Sequence, residues 1–318
     1  MKQIARIIFA KLLQGIPIIL GVTFLSFVLM VYFGPEKTYD LLGKNPTVEQ
    51  IARVREQLGY TRPFFVRYAE FLKQVVTFDF GNSDSNGQNV MNLLGQSAPI
   101  SLALSLPGFF LGNILSMFIG LFAAWNQGKW PDRVIMGFSM IGMSLSYIIV
   151  IILGQYLFCS AYGMNAFPVT GWDVTDLSSY LHFVTVPTLC TVFVALGYNT
   201  RFFRAVFIEE SRKEHMRTAK AFGASAPYIL WQHLYRNSLI PIITRTVFSL
   251  PFVLVGGNLL TESYFSIPGI GLVTYNAITT GDLPVLKAVV SLTAILYALC
   301  LILIDILYAW ADPRMRQA

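Results

Sequence analysis

The sequence predicts an all-α membrane protein with six transmembrane helices and a small helical region after the first of them. Three observations predict it. Of 318 residues, 13% are charged and 55% hydrophobic, whereas soluble domains carry about 25% charged residues. Mean hydropathy is +0.59. Six segments hold the roughly 20 apolar residues needed to cross the hydrocarbon core: near 12–33, 98–124, 134–158, 184–207, 241–262 and 287–310.

The opening "MKQIARIIFAKLLQGIPIILGVTFLSFVLMVYF" has the basic start of a signal peptide. Its apolar run from Gly15 to Phe33 exceeds the roughly 7–15 residues of such a signal, and no A-x-A site follows. It predicts a retained first helix. In the next stretch "TVEQIARVREQLGY" pairs Thr47 with Gln50 as a capping box. Ile51, Val54 and Leu58 then follow at helical spacing. "RPFFVRYAEFLKQVVTF" predicts a second amphipathic helix with Phe65, Tyr68, Phe71 and Leu72 on one side. These two are expected to form a cap on the outer face; a helix lying in the membrane interface is the competing reading. Helices two to six make the main body, without repeat or domain linker. Cys159, Cys190 and Cys300 lie in or beside apolar stretches without paired spacing, and read as packing residues.

Basic residues orient the chain. Lys2, Arg6 and Lys11 lie at the amino end, and Lys129 and Arg133 in the loop 125–133. Arg212, Lys213, Arg217, Lys220 and Arg236 lie in the loop 208–240, and Arg314 and Arg316 in the tail. The loop 159–183 has neither Lys nor Arg, and the loop after the fifth helix only Lys287 at its edge. Both termini are therefore expected in the cytoplasm. The region 34–97 holds seven basic and seven acidic residues. Long loops translocate largely regardless of charge, so it is placed outside. The net charge of +6 is explained this way and does not call for nucleic acid.

No enzyme signature is present. His182, His215 and His233 form no H-E-x-x-H and sit near no cysteine pair, and there is no G-x-S-x-G elbow or phosphate loop. Glu262 and Asp305 are acids inside or at the edge of helices. Such acids are often functional, but their positions near helix ends read as snorkelling or hydrogen-bonded groups. "LVGGNLL" in the fifth helix hints at a broken helix of the kind that holds substrate in carriers; close packing by small residues is the commoner cause.

The charged segment 208–240 predicts a helix over 210–222 with Met216, Ala219 and Gly223 on one face, ended by Gly223 in the left-handed conformation. A second helix follows, capped by Ser225 with Pro227 in its first turn. There Leu230, Trp231 and Leu234 share an apolar stripe, and Gln232, His233 and Arg236 a polar one. Small residues at Ala219, Ala221 and Gly223 would admit another backbone. A docking site for a cytoplasmic partner and an interfacial helix held near acidic lipids both fit.

"RTAKAFG", nine residues, then "HLYRNSLIP" resembles the cytoplasmic EAA-type loop of bacterial ABC importer permeases. It is most similar to the oligopeptide/dipeptide (peptide/nickel) branch, which reads R-T-A-R-A-K-G and then R-H-A-L-R-N-A-L-I-P, and to the first membrane subunit type there. "ILGVTFLSFVLM", "REQLGYTRPFFVRYAEFLKQ", "TESYFSIPGIGLV", "GDLPVLKAVVSLTA" and "IDILYAWADPRMR" agree as well, so the likeness spans the chain. Arg217 stands where the motif has its glutamate, as is usual in this branch, and "GPEK" replaces the common P-G-D-P after the first helix.

The resemblance implies a type I importer (MetI-like) permease fold in the bacterial inner membrane. Residues 1–33 would be the cytoplasmic amino end and first helix, and 34–97 a periplasmic helical region. Residues 98–311 would be the permease core carrying the cytoplasmic loop 208–240, and 312–318 a cytoplasmic tail. It implies a second, homologous permease subunit, two ATPase subunits that bind ATP and Mg so that this chain needs no cofactor or metal, and a periplasmic substrate-binding protein. The chain itself would not be an enzyme. The coupling helix 214–223 would sit in a groove of one ATPase, with Glu214, Arg217, Thr218, Ala219, Lys220, Gly223, His233 and Arg236 at the joint. Ser144, Ser146, Asn199 and Asn258 are the polar residues expected along the path. Peptides are the branch's default substrate; oligosaccharides, nickel chelates, polyamines and antimicrobial peptides are alternatives. The competing function is an uncoupled carrier or channel.

Overall fold

A computed structural model describes residues 2–33, 42, 47–57, 59, 61–251 and 258–311, with the side chains of 2–14, 33, 57, 305 and 309–311 excepted. Leu58, the "GPEK" stretch, Gly256, Gly257, the tail with Arg314 and Arg316, and the side chains of Lys2, Arg6, Lys11 and Asp305 thus lie outside the described residues. In chain order the helices are α1 (Lys2–Phe33), α2 (Val48–Gln57), α3 (Phe64–Thr77), α4 (Val90–Trp125) and α5 (Trp130–Ser144). Next come α6 (Tyr147–Gly154), continued by a π-helical turn Gln155–Cys159, and α7 (Leu177–Ser211) and α8 (Glu214–Ala221). A short turn Ala226–Tyr228 runs into a π-helical stretch Ile229–Tyr235. The chain ends with α9 (Leu239–Pro251), α10 (Asn258–Phe265), α11 (Ile270–Thr280) and α12 (Leu283–Ala311).

Among the described residues four helices are long and apolar enough to span a membrane: Gly15–Tyr32 within α1, then α4, α7, and Leu283–Tyr308 within α12. They are the expected first, second, fourth and sixth spans. The expected fifth is represented by α9 and α10, with 252–257 outside the described residues. The third differs. It is not one helix over 134–158 but α5 and α6 joined at a bend of 96°. Leu145 (ψ 131) and Ser146 (ψ 139) are extended there, which ends the hydrogen-bond ladder. The bend is pinned by the Tyr147 hydroxyl, which reaches Thr261 Oγ1 at 2.7 Å and Thr191 Oγ1 at 3.1 Å. Tyr198 donates to the carbonyl of Met143, one of those released by the break, at 3.3 Å. Backbone polar groups at membrane depth need such partners, or water.

The chain packs as two units, residues 1–97 with 273–299, and 98–272 with 300–318. In the first unit the capping box forms: Thr47 N–H donates to Gln50 Oε1 at 2.9 Å and Gln50 N–H to Thr47 Oγ1 at 3.4 Å. The inward stripe of α3 is Phe64, Tyr68, Phe71 and Val75, with Phe71 and Val75 buried. Phe65, expected in that stripe, is 77% exposed. The phase is set by α1, whose Phe27 stacks on Phe71 at 5.6 Å and whose Phe24 meets Phe64 and Tyr68 edge-on; that cluster takes Phe64 and turns its neighbour outward.

In the same unit the loop after α3 is tied to the turn before α12. Asp282, buried, accepts from Ser83 Oγ at 2.5 Å, Ser85 Oγ at 2.7 Å and Ser85 N–H at 3.1 Å. Burial alone would raise its pKa, but the hydroxyl and amide donors outweigh it and hold the carboxyl below its ordinary value of 3.8. A depressed folded pKa contributes stability that is present above the unfolded value and lost as pH falls through the folded one. Asp282→Ala is therefore expected to free the Ser85 amide for hydrogen exchange at neutral pH. In the unmutated chain the same amide should lose protection only below about pH 4.

In the second unit α7 is the helix against which α4, α5 and α6 pack. Gly142 of α5 and Gly197 of α7 touch backbone to backbone: a Cβ on Gly197 would lie 2.9 Å from the carbonyl carbon of Gly142. Small residues permit such crossings where no hydrophobic force draws helices together in lipid. Ser116 of α4 donates to the Ala195 carbonyl at 3.2 Å. α7 begins with a reciprocal capping box between Asp176 and Ser179. Cys159, Cys190 and Cys300 are all buried free thiols.

Asp132 of α5, 3% exposed, is held by Arg204 of α7 through two bonds of 2.6 and 2.7 Å, and accepts from Gly128 N–H at 2.9 Å. Such bidentate pairs are strong and directional. Breaking one by removing a single partner costs about 3–5 kcal/mol, because a buried charge is left behind. Arg204→Ala should lower the thermal midpoint of the purified chain in detergent, and the double variant Arg204→Ala with Asp132→Ala should recover part of the loss.

Candidate functional site

The charged segment folds as the end of α7, then α8, then the π-helical stretch, all within the second unit. α7 stops at Ser211, and Arg212 and Lys213 lead into α8. Glu210, buried, fixes the corner: Lys213 Nζ lies 2.6 Å and His215 Nε2 3.2 Å from its carboxylate. His215 Nε2 also lies 3.2 Å from Asn237 Nδ2, so the histidine stands between the helix before α8 and the segment after it.

α8 ends as the sequence indicates. Gly223 has φ +74°, Ala224 N–H donates to Ala219 O at 3.2 Å, and Gly223 N–H donates to Lys220 O at 3.0 Å. This is the two-bond left-handed termination. The faces are distributed differently from expectation. Met216 and Ala219 are turned inward, in a core with Leu121, Phe203, Phe207 and Ile229. The small side chain at Ala219 therefore serves close packing within this chain. Outward stand Glu214, Arg217, Thr218, Lys220, Phe222 and Gly223. Arg217 and Glu214 form an exposed ion pair at 3.0 Å, worth little in stability. Phe222 is 87% exposed, and the sequence reading passed over it.

The segment after Gly223 also corrects the expected stripe of Leu230, Trp231 and Leu234. Its π-helical winding brings residues five apart onto one side, so Ile229 joins Leu234 in the core, Leu230 packs half-buried against it as expected, and Trp231 is half exposed, edge-on to Phe118 and Tyr235. Ser225 sits at the start of the turn without a side-chain capping bond. His233 is half-buried, its ring 5.5 Å from that of Tyr228, and Arg236 is exposed.

The expected path residues separate. Ser144 and Ser146 flank the bend and are exposed. Asn199 is tied to Asn113 Oδ1 at 3.3 Å, and Asn258, buried, to the Ser101 carbonyl at 3.3 Å; both join helices. Near the bend a cavity of about 430 Å³ is lined by Leu145, Val150, Gly154, Cys190 and Phe193 among other apolar side chains, and it offers no polar group to a peptide.

Glu262 is fully buried and organises a second constellation. Ser101 Oγ donates to its Oε1 at 2.6 Å, and Leu272 N–H to its Oε2 at 3.1 Å. Ser101 Oγ in turn accepts from Ile270 N–H at 2.7 Å. A Cβ on Gly269 would run into the Glu262 carboxylate and the Ser101 hydroxyl. The hydrogen-bonded reading of this acid holds: one partner, Ser101 of α4, is distant in sequence, and the other, Leu272, lies just past the turn that follows α10.

Four long apolar helices among the described residues define a multi-pass helical membrane protein, and its second unit carries a polar, outward-facing helical elbow. Residues 116–317 match the family described as the binding-protein-dependent transport system inner membrane component, and residues 4–105 match the N-terminal part of such membrane components. A chain of Brucella melitensis named as a peptide transport system permease protein is 30% identical over 319 residues, covering 99% of both chains. A dipeptide transport system permease protein of Alkalihalophilus pseudofirmus is 27% identical, over 96% of this chain and 98% of its own. A glutathione transport system permease protein of Salmonella choleraesuis is 29% identical, over 96% and 97%. The chain belongs to the binding-protein-dependent transport permeases, in the peptide/nickel branch of ABC importers.

Proposed function

We propose that this chain is one of two homologous membrane subunits that form the translocation path of an ATP-driven peptide importer. The outward face of α8 is the observation that carries the reading. Its buried side is locked to the body of the second unit through Met216, Ala219 and Glu210, while Glu214, Arg217, Thr218, Lys220 and Gly223 are exposed toward a partner. A helix anchored on one side and presented on the other can pass a push from an ATPase to α7. His233 and Arg236 would edge the joint. The basic loops support a cytoplasmic elbow and cytoplasmic termini, and the region 34–97, long and balanced in charge, would lie on the periplasmic side, where the binding protein delivers substrate. ATP and Mg belong to the two ATPase subunits. Relatives named for peptide, dipeptide and glutathione transport support a short peptide as the substrate. The exposed break at Ser144–Ser146 is the best candidate for a path-lining stretch, since free backbone groups at membrane depth belong beside water or protein.

The test is co-purification in mild detergent followed by an ATPase assay with binding protein and candidate peptides. A second permease and two ATPases should come down with the chain, and peptide-loaded binding protein should raise ATP turnover. A chain that purifies alone and moves solute in liposomes without ATP would overturn the reading in favour of a carrier.

A further inference from the structure

We infer that α3 is embedded in the membrane interface alongside the first span, with the Phe65–Val76 side of the helix against lipid acyl chains. The depth of its contacts carries this. The apolar span of α1 runs over Gly15–Tyr32. α3 does not sit beyond the end of that span but packs along it: Phe64 and Tyr68 meet Phe24 and Phe27, and Phe71 stacks on Phe27. The Tyr68 hydroxyl reaches deeper, donating to the Leu20 carbonyl at 3.1 Å and lying 3.3 Å from Thr23 Oγ1. At about 1.5 Å per residue, Phe27 and Phe24 lie about 8 and 12 Å below Tyr32. Interfacial helices bury their apolar face by roughly 5–10 Å; the contacts with Phe27 fall in that range, and those with Phe24 and Leu20 reach below it.

The rest of the helix surface agrees. Next to the inward stripe, Phe65, Ala69, Leu72 and Val76 follow one another at helical spacing, and Phe65 and Val76 are 77% and 78% exposed. Over the same levels α1 turns Leu25 and Leu29 outward, 60% and 50% exposed. A cap standing in water would leave two large side chains of α3 wetted beside a span that is itself in lipid. The opposite side carries Glu70, Lys73 and Thr77. Glu70 pairs with Arg62, and the Arg67 guanidinium lies 6.0 Å from the Phe27 ring centre. The inference rests on the membrane location of the family and not on the coupling reading.

The test is nitroxide accessibility in the full complex, in phosphatidylethanolamine–phosphatidylglycerol nanodiscs. Labels are placed by Phe65→Cys, Val76→Cys and Lys73→Cys; the three native cysteines are buried, and the unmutated chain gives the background. At 65 and 76 collision with lipid-soluble oxygen should exceed collision with a water-soluble nickel chelate, and at 73 the order should reverse. Labels at 65 and 76 that meet nickel as freely as the label at 73 would mean a water-facing cap. Labels shielded from both reagents would mean that another subunit covers the face. Either result overturns the inference, and each variant is scored only after it assembles with its partners.

Discussion

Gly223→Glu should abolish uptake while the chain still inserts and assembles, and Gly223→Asn should transport at close to the normal rate. Gly223 has φ +74°, a conformation that costs an ordinary L-residue about 1–2 kcal/mol and that asparagine tolerates best after glycine. The asparagine variant therefore adds a side chain at little backbone cost. Space within this chain is not the issue, because nothing lies within 4 Å of a Cβ built there. A glutamate would project outward from the exposed end of α8, past Phe222, into whatever the helix docks against. It would also place a negative charge at a helix C-terminus, where the helix dipole disfavours it. Loss of uptake in the glutamate variant alone, with peptide-stimulated ATP turnover lost in parallel, locates the defect at the joint. Normal uptake by Gly223→Glu in an assembled complex would falsify the coupling assignment.

What the sequence disclosed and what it did not follow from the range of the forces involved. The spans of α1, α4, α7 and α12 were legible because hydropathy is additive over a window and the membrane thickness fixes its length. The capping box at Thr47 and the left-handed end at Gly223 were legible because each is made by residues within five positions of one another. The bend at Leu145–Ser146 was not. Apolar chain lies on both sides of it, so the window sum stays high across the break, and what pins it is Tyr147 bonding to Thr191 and Thr261, far away in sequence. The turn of α3 by one residue, which exposes Phe65, likewise depends on the aromatic cluster of α1. In the segment after Gly223 the period misled in part: Leu230 and Leu234 do face one core, but the chain there winds more widely, bringing Ile229 into it and leaving Trp231 half exposed. Glu210 and Phe222 went unremarked because a Glu-Glu pair at a helix end and one phenylalanine in a basic stretch carry no local signal. Their roles come from burial in one case and exposure in the other.

The same reasoning makes Glu262→Ala a substitution expected to damage the fold severely. The Glu262 carboxylate is the acceptor for Ser101 Oγ–H and Leu272 N–H, and the site is fully buried. Truncation leaves both donors without it, and an unsatisfied buried donor costs about 1–3 kcal/mol. The loss should reach about 3 kcal/mol or more once the vacated volume is included, visible as a lower melting midpoint in detergent and as poor recovery of the assembled complex. Glu262→Gln keeps the shape and one acceptor while turning an amide N–H₂ toward a donor, so its loss should be intermediate. Ser101→Ala should also be intermediate, because Ile270 N–H loses its acceptor while Leu272 N–H keeps the carboxylate. Gly269→Ala approaches the same point from the other side, pressing a methyl group into the carboxylate and the Ser101 hydroxyl, and should destabilise without removing any polar group. If Glu262→Ala melts with the unmutated chain while Gly269→Ala does not, packing around the turn, and not the hydrogen bonds, holds Ile267–Leu272 in place. If both fall, with glutamine and Ser101→Ala between, the acid is the knot that ties α10 and the following turn to α4.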